Sequence, residues 1–194
     1  MGIVGVDEAG RGALVGPVVA AAVYWHSEIT HPFLKDSKQL LPYQRDVVWD
    51  WLIAEKIPIA IGVVNHLKID QINILQATML AMKRSILQLE SVLNHSLASE
   101  TILIDGNRTP QMPGYSLTAI IKGDQTEMAI SAASIVAKVT RDRWMTELAT
   151  HFPAYGFEAH KGYGTESHYN VIWESGLTPF HRKTFNYNRQ ERLF

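Results

Sequence analysis

The apolar positions of this chain fall into short unbroken runs and, between them, longer stretches that repeat every three or four residues. Residues 3–6, 18–24, 57–64, 101–104 and 115–121 are the short runs. They are rich in Val, Ile and Ala and are bounded by Gly, Pro or Asp, the pattern of buried strands. Pro17 stands just ahead of the second, where a strand tolerates it. Ile72, Leu75, Met79, Met82, Ile86, Leu89 and Leu93 recur three and four apart and mark one face of a helix whose task is core packing. A second helix is expected from Gln125 to about His151, rich in Ala, with Pro153 marking its end. Strands dominate the first part and helices the later part. That order predicts an α/β fold, a central mixed β-sheet flanked by helices with a helical C-terminal region. No repeat, low-complexity stretch or long linker interrupts it. Residues 1–194 are read as a single domain, with residues from about 165 to 194 as a helical and basic appendage.

Two of the predicted strands run straight into a carboxylate, at Asp7-Glu8 and at Asp105-Gly106. A carboxylate at the end of an apolar strand is costly to bury unless it meets a cation or hydrogen-bond donors. Ligand sites in α/β sheets gather at such ends. The plainer alternative is that each Asp starts a turn. Adjacent residues of a regular strand point to opposite faces. For Asp7 and Glu8 to serve one site, the chain is therefore expected to leave the strand between them, eased by Gly10 and Gly12. Asp124 and Glu127 fit a capping box at the head of the second helix, so capping and cation binding are both open to Asp124. Oxygen-only donors of this kind suit hard cations such as magnesium or manganese.

Composition narrows the classes. With 18 Lys and Arg against 19 Asp and Glu the net charge is −1, less basic than many nucleic-acid binders. The charge is uneven, because Arg182, Lys183, Arg189 and Arg192 face only Glu191 near the C-terminus. Carboxylates committed to metal also lower the net charge without weakening a basic groove. The chain has no Cys, which excludes disulfides and thiolate chemistry and suits a reducing compartment. Its histidines show no His-Glu-x-x-His pattern, so zinc is set aside. The apolar run at 13–25 is interrupted by Gly16 and Pro17 and is too short to span a bilayer. Val6 stands where a myristoylation signal needs Ser or Thr. A cytoplasmic protein without a membrane partner is expected.

Asp7-Glu8-Ala9-Gly10-Arg11-Gly12 resembles the signature of ribonuclease HII, the type 2 ribonuclease H. Lys35-Asp36-Ser37-Lys38, Asp105-Gly106-Asn107, Lys122-Gly123-Asp124, residues 131–142, His160-Lys161-Gly162-Tyr163-Gly164-Thr165 and His181-Arg182 are similar to further segments of that family, in the family's order. The resemblance implies a ribonuclease H-like fold. It implies an endonuclease that hydrolyses the RNA strand of RNA–DNA hybrids and cuts 5′ to ribonucleotides embedded in duplex DNA, leaving 3′-hydroxyl and 5′-phosphate ends. Ribonucleotide excision repair and DNA replication are the processes such an enzyme serves. Four catalytic, metal-binding carboxylates carry over to Asp7, Glu8, Asp105 and Asp124. Gly10, Arg11 and Gly12 are implied to approach the ribonucleotide, and Tyr163 to lie against the sugar on the DNA side. Lys35, Ser37, Lys38 and Arg182 are further expected substrate contacts. The implied partners are the hybrid and the ribonucleotide-containing duplex, bound by a monomer. The related ribonuclease HIII proteins carry an extra N-terminal domain, and the start of this chain at the first catalytic strand favours type HII.

The residues fit that chemistry. RNA differs from DNA at the 2′-hydroxyl, so a junction reader must sense it, and glycines let backbone approach it closely. Tyr163 between two glycines is placed for its ring to be presented, although a half-buried core tyrosine is the common case. Arg11 between glycines has little to pack on. Lys138 and Arg141, one turn apart, either serve the site or pair on the surface with Asp142 or Glu147. Phe180, His181, Arg182, Lys183, Phe185 and Tyr187 suit a nucleic-acid strand, or equally an aromatic segment packed on the core. A pair of magnesium ions about 4 Å apart, bridged by Asp7, is the expected catalyst. Two rivals are a metal-dependent nucleotide phosphatase, which would lack the Gly-Lys-Ser/Thr end of a P-loop, and a non-catalytic hybrid-binding module, which has no use for four carboxylates.

Overall fold

The computed structural model describes residues 2–26, 31, 34 and 40–187, so Lys35, Ser37 and Lys38 lie outside the described residues. Five strands, β1 (Ile3–Ala9), β2 (Val18–Trp25), β3 (Ile59–Val64), β4 (Thr101–Asp105) and β5 (Ser116–Ile120), form one mixed sheet in the order β3-β2-β1-β4-β5. β1 runs antiparallel to β2 and parallel to β4. β3 adds to β2 antiparallel and β5 to β4 parallel. Each strand grows from one of the apolar runs. The largest departure is β1, which continues through Asp7 and Glu8 to Ala9, pairing them with Ala21 and Ala20 of β2.

Strand periodicity then sorts β1 between two cores. Val4 and Val6, with Val18, Ala20 and Ala22, pack under the helix α2 (His66–Leu93) through Ile69, Ala81, Met82, Ile86 and Leu89. Ala9, Ala21, Val23 and Trp25 pack on the opposite face against α1 (Pro42–Ala54) and α4 (Met128–His151). Burial of each large aliphatic chain in these layers contributes roughly 1.5–3 kcal/mol. α4 presses hard on the sheet. A Cβ added at Gly5 would lie 2.0 Å from the carbonyl carbon of Ala129, and the Ala-Ser composition of its first turns permits that approach. α2 starts on the Asn65 side chain, which accepts from the Lys68 N–H, and bends at Asn73, whose φ is 65°.

The expected second helix is divided. A single turn, α3 (Gly123–Thr126), precedes α4, and Glu127 between them is extended at φ −113°, ψ 116°. The capping box therefore does not form. Asp124 sits inside α3, Lys122 precedes it in a left-handed conformation, and Glu127 gives α4 no side-chain cap. Beyond α4 come α5 (Phe157–His160) and α6 (Glu166–Ser175). The chain then returns past the start of the molecule, with bridges Ala13 to Tyr163 and Val15 to His181. Phe180, Phe185 and Tyr187 pack on a third cluster built from Leu14, Val15, Met145, Leu148 and Phe157. The rings of the C-terminal segment are thus core packing.

Candidate metal and nucleic-acid site

The last pair in the β1–β4 register is Val6 with Ile104, so Asp7 and Asp105 follow side by side, Asp105 ending β4 and Asp7 two residues short of the end of β1. Asp7 keeps strand geometry and belongs to the α4 side, where Ser134 donates a hydrogen bond to it. Glu8 belongs to the α2 side, beside Leu75, Met79 and Met82. The chain does not leave the strand between them, contrary to expectation. Both reach one site because it straddles the end of β1: a recess of about 430 Å³ is lined by Asp7, Glu8, Gly10, Arg11, Gly12, Asp105, Ser134, Lys138 and Tyr163. Asp124 arrives from α3, and its backbone N–H donates to Asp105 Oδ1 at 3.3 Å. Asp7 and Asp124 are 5% and 3% exposed, so both carboxylates have left water.

Electrostatics make the cluster a poor anion cage and a good cation cage. Burial first, then Glu8 and Asp105, pushes the Asp7 carboxyl well above the usual range. Burial also raises Glu8, against the pull of Arg11, whose Nη1 lies 3.1 Å from Glu8 Oε1. Glu8 Oε2 is buried without a hydrogen-bond partner. An orphan carboxylate oxygen beside two other carboxylates suits a divalent cation bound through oxygen, and the residues fit a hard metal ion. Among the described residues no three acidic or histidine side chains already form a closed metal cage. Asp7, Glu8 and Asp105 border the recess, whereas Asp124 is not among the residues lining it and meets the others through Asp105.

Behind the glycine loop stand two buried cations. Arg182 is fully buried and donates to the carbonyls of Gly10, Arg11, Gly16 and Pro17 at 2.7–3.0 Å. Expected as a substrate contact, Arg182 is instead buried behind the loop with its guanidinium turned to backbone carbonyls. Its role is to position the loop. In a trans peptide the N–H points opposite to the C=O. With the carbonyls of Gly10 and Arg11 drawn inward, the N–H groups of Arg11 and Gly12 point away from Arg182, on a loop that lines the recess. A Cβ at Gly12 would meet nothing within 4 Å, whereas one at Gly10 would strike Arg141 Nε at 2.0 Å. Gly12 thus leaves open space on the recess side, and Gly10 makes room for the scaffold. Burial, then Arg141, pulls Arg182 down to about 9, still charged at neutral pH. Arg141, also fully buried, donates to Val15, Pro17 and Lys161 carbonyls, so the surface-pairing alternative fails for it. Lys138 does pair with Asp142, at 2.8 Å, while still lining the recess. The sequence does not single out Ser134, and it leaves Lys138 and Arg141 open between serving the site and pairing on the surface. Their spacing of four and three places all three on one stripe of α4, a signal that was present.

Tyr163 lines the recess together with Asp105. Its half-buried ring rests near Arg141 Cζ at 5.2 Å and Lys138 Nζ at 5.7 Å. Its carbonyl accepts from His168 Nδ1 at 2.9 Å, His168 Nε2 meets His181 Nε2 at 3.3 Å, and His181 Nδ1 accepts the Thr178 N–H at 2.8 Å. The tautomers follow from the ends of this chain. His181 must carry its proton on Nε2, so His168 must carry its own on Nδ1. Burial above all holds both rings down to about 4. Folded, they bind fewer protons than unfolded between about pH 4 and the usual imidazole range, so stability falls as pH drops through that window. Each ring is expected to cost on the order of 2 kcal/mol there. His168→Gln, which keeps a donor and an acceptor, should make the melting temperature fall less steeply from pH 6.5 to 4 than in the unaltered chain. Thermal melts at stepped pH check it, and parallel curves would remove the pair from the account.

A family model described as Ribonuclease HII matches residues 4–188. The chain is 47% identical over 192 residues to the Ribonuclease HII of Coxiella burnetii, covering 99% of this chain and 92% of that one. It is 45% identical over 184 residues to that of Pelagibacter ubique, covering 95% of both. In structure it is similar to the ribonuclease H2 from Pyrococcus horikoshii, with a TM-score of 0.72 and 26% identity over 98% of this chain and 96% of that one.

Proposed function

The chain belongs to the ribonuclease HII family, and on that premise we propose that Asp7, Glu8, Asp105 and Asp124 hold its divalent metal while Gly10, Arg11, Gly12 and Tyr163 seat the RNA-to-DNA step. The family makes the protein a metal-dependent endonuclease that acts on RNA–DNA hybrids. The finer reading is a two-metal site taking magnesium or manganese, and cutting on the 5′ side of a ribonucleotide within duplex DNA. The observation that carries it is the convergence of the strand-end carboxylates, the glycine loop and Tyr163 on one recess.

When bound, the metal supplies Lewis-acid polarisation of the phosphate and a water of lowered pKa. The chain's own groups do the positioning. Ser134 orients Asp7 by donating to it. The outward N–H groups of Arg11 and Gly12, held by Arg182, stand where a 2′-hydroxyl can accept from them. Lys138 adds positive charge to the wall for a phosphate. Tyr163, stationed over Lys138 and Arg141, presses on the following sugar, where a 2′-hydroxyl would crowd the ring. The scissile phosphate, 5′ to the ribonucleotide, then falls opposite the carboxylates, and in-line hydrolysis leaves a 3′-hydroxyl and a 5′-phosphate. The reading extends to one domain over residues 1–194, with its C-terminal appendage tied down through Arg182, acting as a monomer in the cytoplasm on ribonucleotides left in DNA. Among the described residues no helix is long and apolar enough to cross a membrane.

The test is a duplex carrying one ribonucleotide, incubated with and without magnesium. Cutting only with magnesium, 5′ to the ribonucleotide, is expected. Tyr163→Ala should cost roughly 1–3 kcal/mol, by analogy with aromatic contacts to single strands, on that substrate and less on a uniform hybrid, where many registers are available. The readout is the ratio of kcat/KM on the two substrates. Equal losses on both would mean that Tyr163 supports the fold or the carboxylates and does not read the junction.

A further inference from the structure

The recess does not end at the carboxylates. Glu8, Arg11 and Asp105 also line a second hollow of about 300 Å³ on the α2 side of the sheet, with Leu75, Met79 and Met82 on its floor and Asn107 and Arg108 on its rim. The two hollows share Glu8, Arg11 and Asp105 and so adjoin at the end of β1; Tyr163 borders only the first and Arg108 only the second. Core packing explains the inward part of the α2 stripe, but not why Leu75 and Met79 stay partly open. They are the floor of this second arm. Arg108 and Asn107 are exposed, immediately beyond Asp105. Met79 also borders a shallower hollow that carries a further cation, Lys83. Apolar floor with cations on the rim is the chemistry of a sugar-phosphate strand, bases or sugars on the floor and phosphates on the rim.

We propose that this arm binds the nucleotides 5′ to the cut, with Arg108 holding their backbone phosphate. The inference rests on the placement of Tyr163 at the sugar 3′ to the ribonucleotide. The first hollow then takes the 3′ side of the strand, the carboxylates face the scissile phosphate, and a strand leaving them away from Tyr163 has only its 5′ side left to lay on Arg108. Arg108 is a binding residue for the segment that departs with the new 3′-hydroxyl.

The experiment is a set of duplexes with one embedded ribonucleotide whose 5′ arm is shortened stepwise to one nucleotide, the 3′ arm fixed, and a matching set shortened on the 3′ side. For the unaltered chain, kcat/KM should fall about tenfold when the 5′ arm no longer reaches Arg108. Arg108→Ala should lose about the same factor on the long 5′ arm and become indifferent to shortening it, while keeping the dependence on the 3′ arm. Its binding to the long duplex, followed by anisotropy, should show a salt slope smaller by about one. Arg108→Ala behaving as the unaltered chain on every duplex overturns the proposal, as does an equal loss on the shortest 5′ arm. Indifference to the 3′ arm instead would reverse the polarity and overturn it too. If the unaltered chain cuts none of these duplexes with magnesium, the placement of the site fails first and this inference with it.

Discussion

Asp7→Asn is expected to stop cutting and, in metal-free protein at neutral pH, to raise the melting temperature. The two effects have one cause. Asp7 is buried, and its carboxyl is pushed up by loss of water and by Glu8 and Asp105. In the folded state it therefore holds a proton at pH values where the unfolded chain has released it. Stability then falls as pH rises from the ordinary carboxyl range through the raised folded value. Asn has the shape of Asp without the charge, its oxygen can still accept the Glu8 N–H that Asp7 Oδ1 accepts at 2.6 Å, and the Ser134 hydroxyl can reverse its role. Removing the charge should raise the melting temperature of the chelated protein at pH 7, with the gain shrinking as pH falls toward 4. Activity moves the other way. A metal site supplies several kcal/mol of charge stabilisation, and each 1.36 kcal/mol is a factor of ten in rate, so a loss of about a thousandfold or more is expected. Two measurements check this together: cutting at saturating magnesium, and melting with magnesium or with a chelator. Magnesium should raise the melting temperature of the unaltered chain, because it binds the folded state alone, and should leave Asp7→Asn unmoved. Turnover near that of the unaltered chain, or a chelated variant that melts lower, would dismantle the account of this carboxylate.

That coupling shows why the strands were legible and the site only partly so. The five runs betray themselves because β-branched residues bounded by breakers have few other uses in so short a stretch. α1 left a weaker trace. Pro42 at its first turn and Gln44, whose side chain accepts the Leu41 N–H at 2.8 Å, are start signals, but its exposed Tyr43, Val47 and Ile53 blur the stripe formed by Val48 and Leu52. Asp124 and Glu127 have the spacing of a capping box, yet tertiary packing of α4 against β1 extends the chain at Glu127 and takes the box apart.

Asp7 and Glu8 illustrate a different limit. Period-two geometry says that they face opposite sides of the sheet, and they do. What the sequence cannot display is that the site runs across the sheet end, so that opposite sides share it. Arg182 is the clearest case. Set among His181, Lys183 and Phe185, it reads as part of a basic, aromatic strand-binding surface. Only the return of residues 178–187 past the glycine loop reveals that its guanidinium is buried and turned to four backbone carbonyls. A buried arginine bonded to backbone leaves no pattern in one sequence, because its partners are carbonyls that every residue owns.

The second large effect is expected at Asp124, where Asp124→Asn should cut activity by on the order of a hundredfold or more while the melting temperature stays close to that of the unaltered chain. Its backbone N–H, which donates to Asp105 Oδ1, is untouched by the substitution, so the link between α3 and the end of β4 survives. A helix-start role would survive as well, since Asn serves that position about as well as Asp, and here α3 begins after Lys122 with no side-chain cap. The side chain is 3% exposed, and Asn fits the same volume, so packing is kept. What changes is one carboxylate on α3, the turn whose backbone N–H meets Asp105. If that carboxylate holds metal, calorimetric titration with magnesium or manganese should show weaker binding in the variant, and cutting should be regained in part as the metal concentration rises. If Asp124 is structural alone, binding, cutting and melting all remain at the unaltered level. A drop in melting temperature in proportion to the lost activity would assign the residue to the fold, and the metal would then rest on Asp7, Glu8 and Asp105, the three carboxylates that line the recess itself.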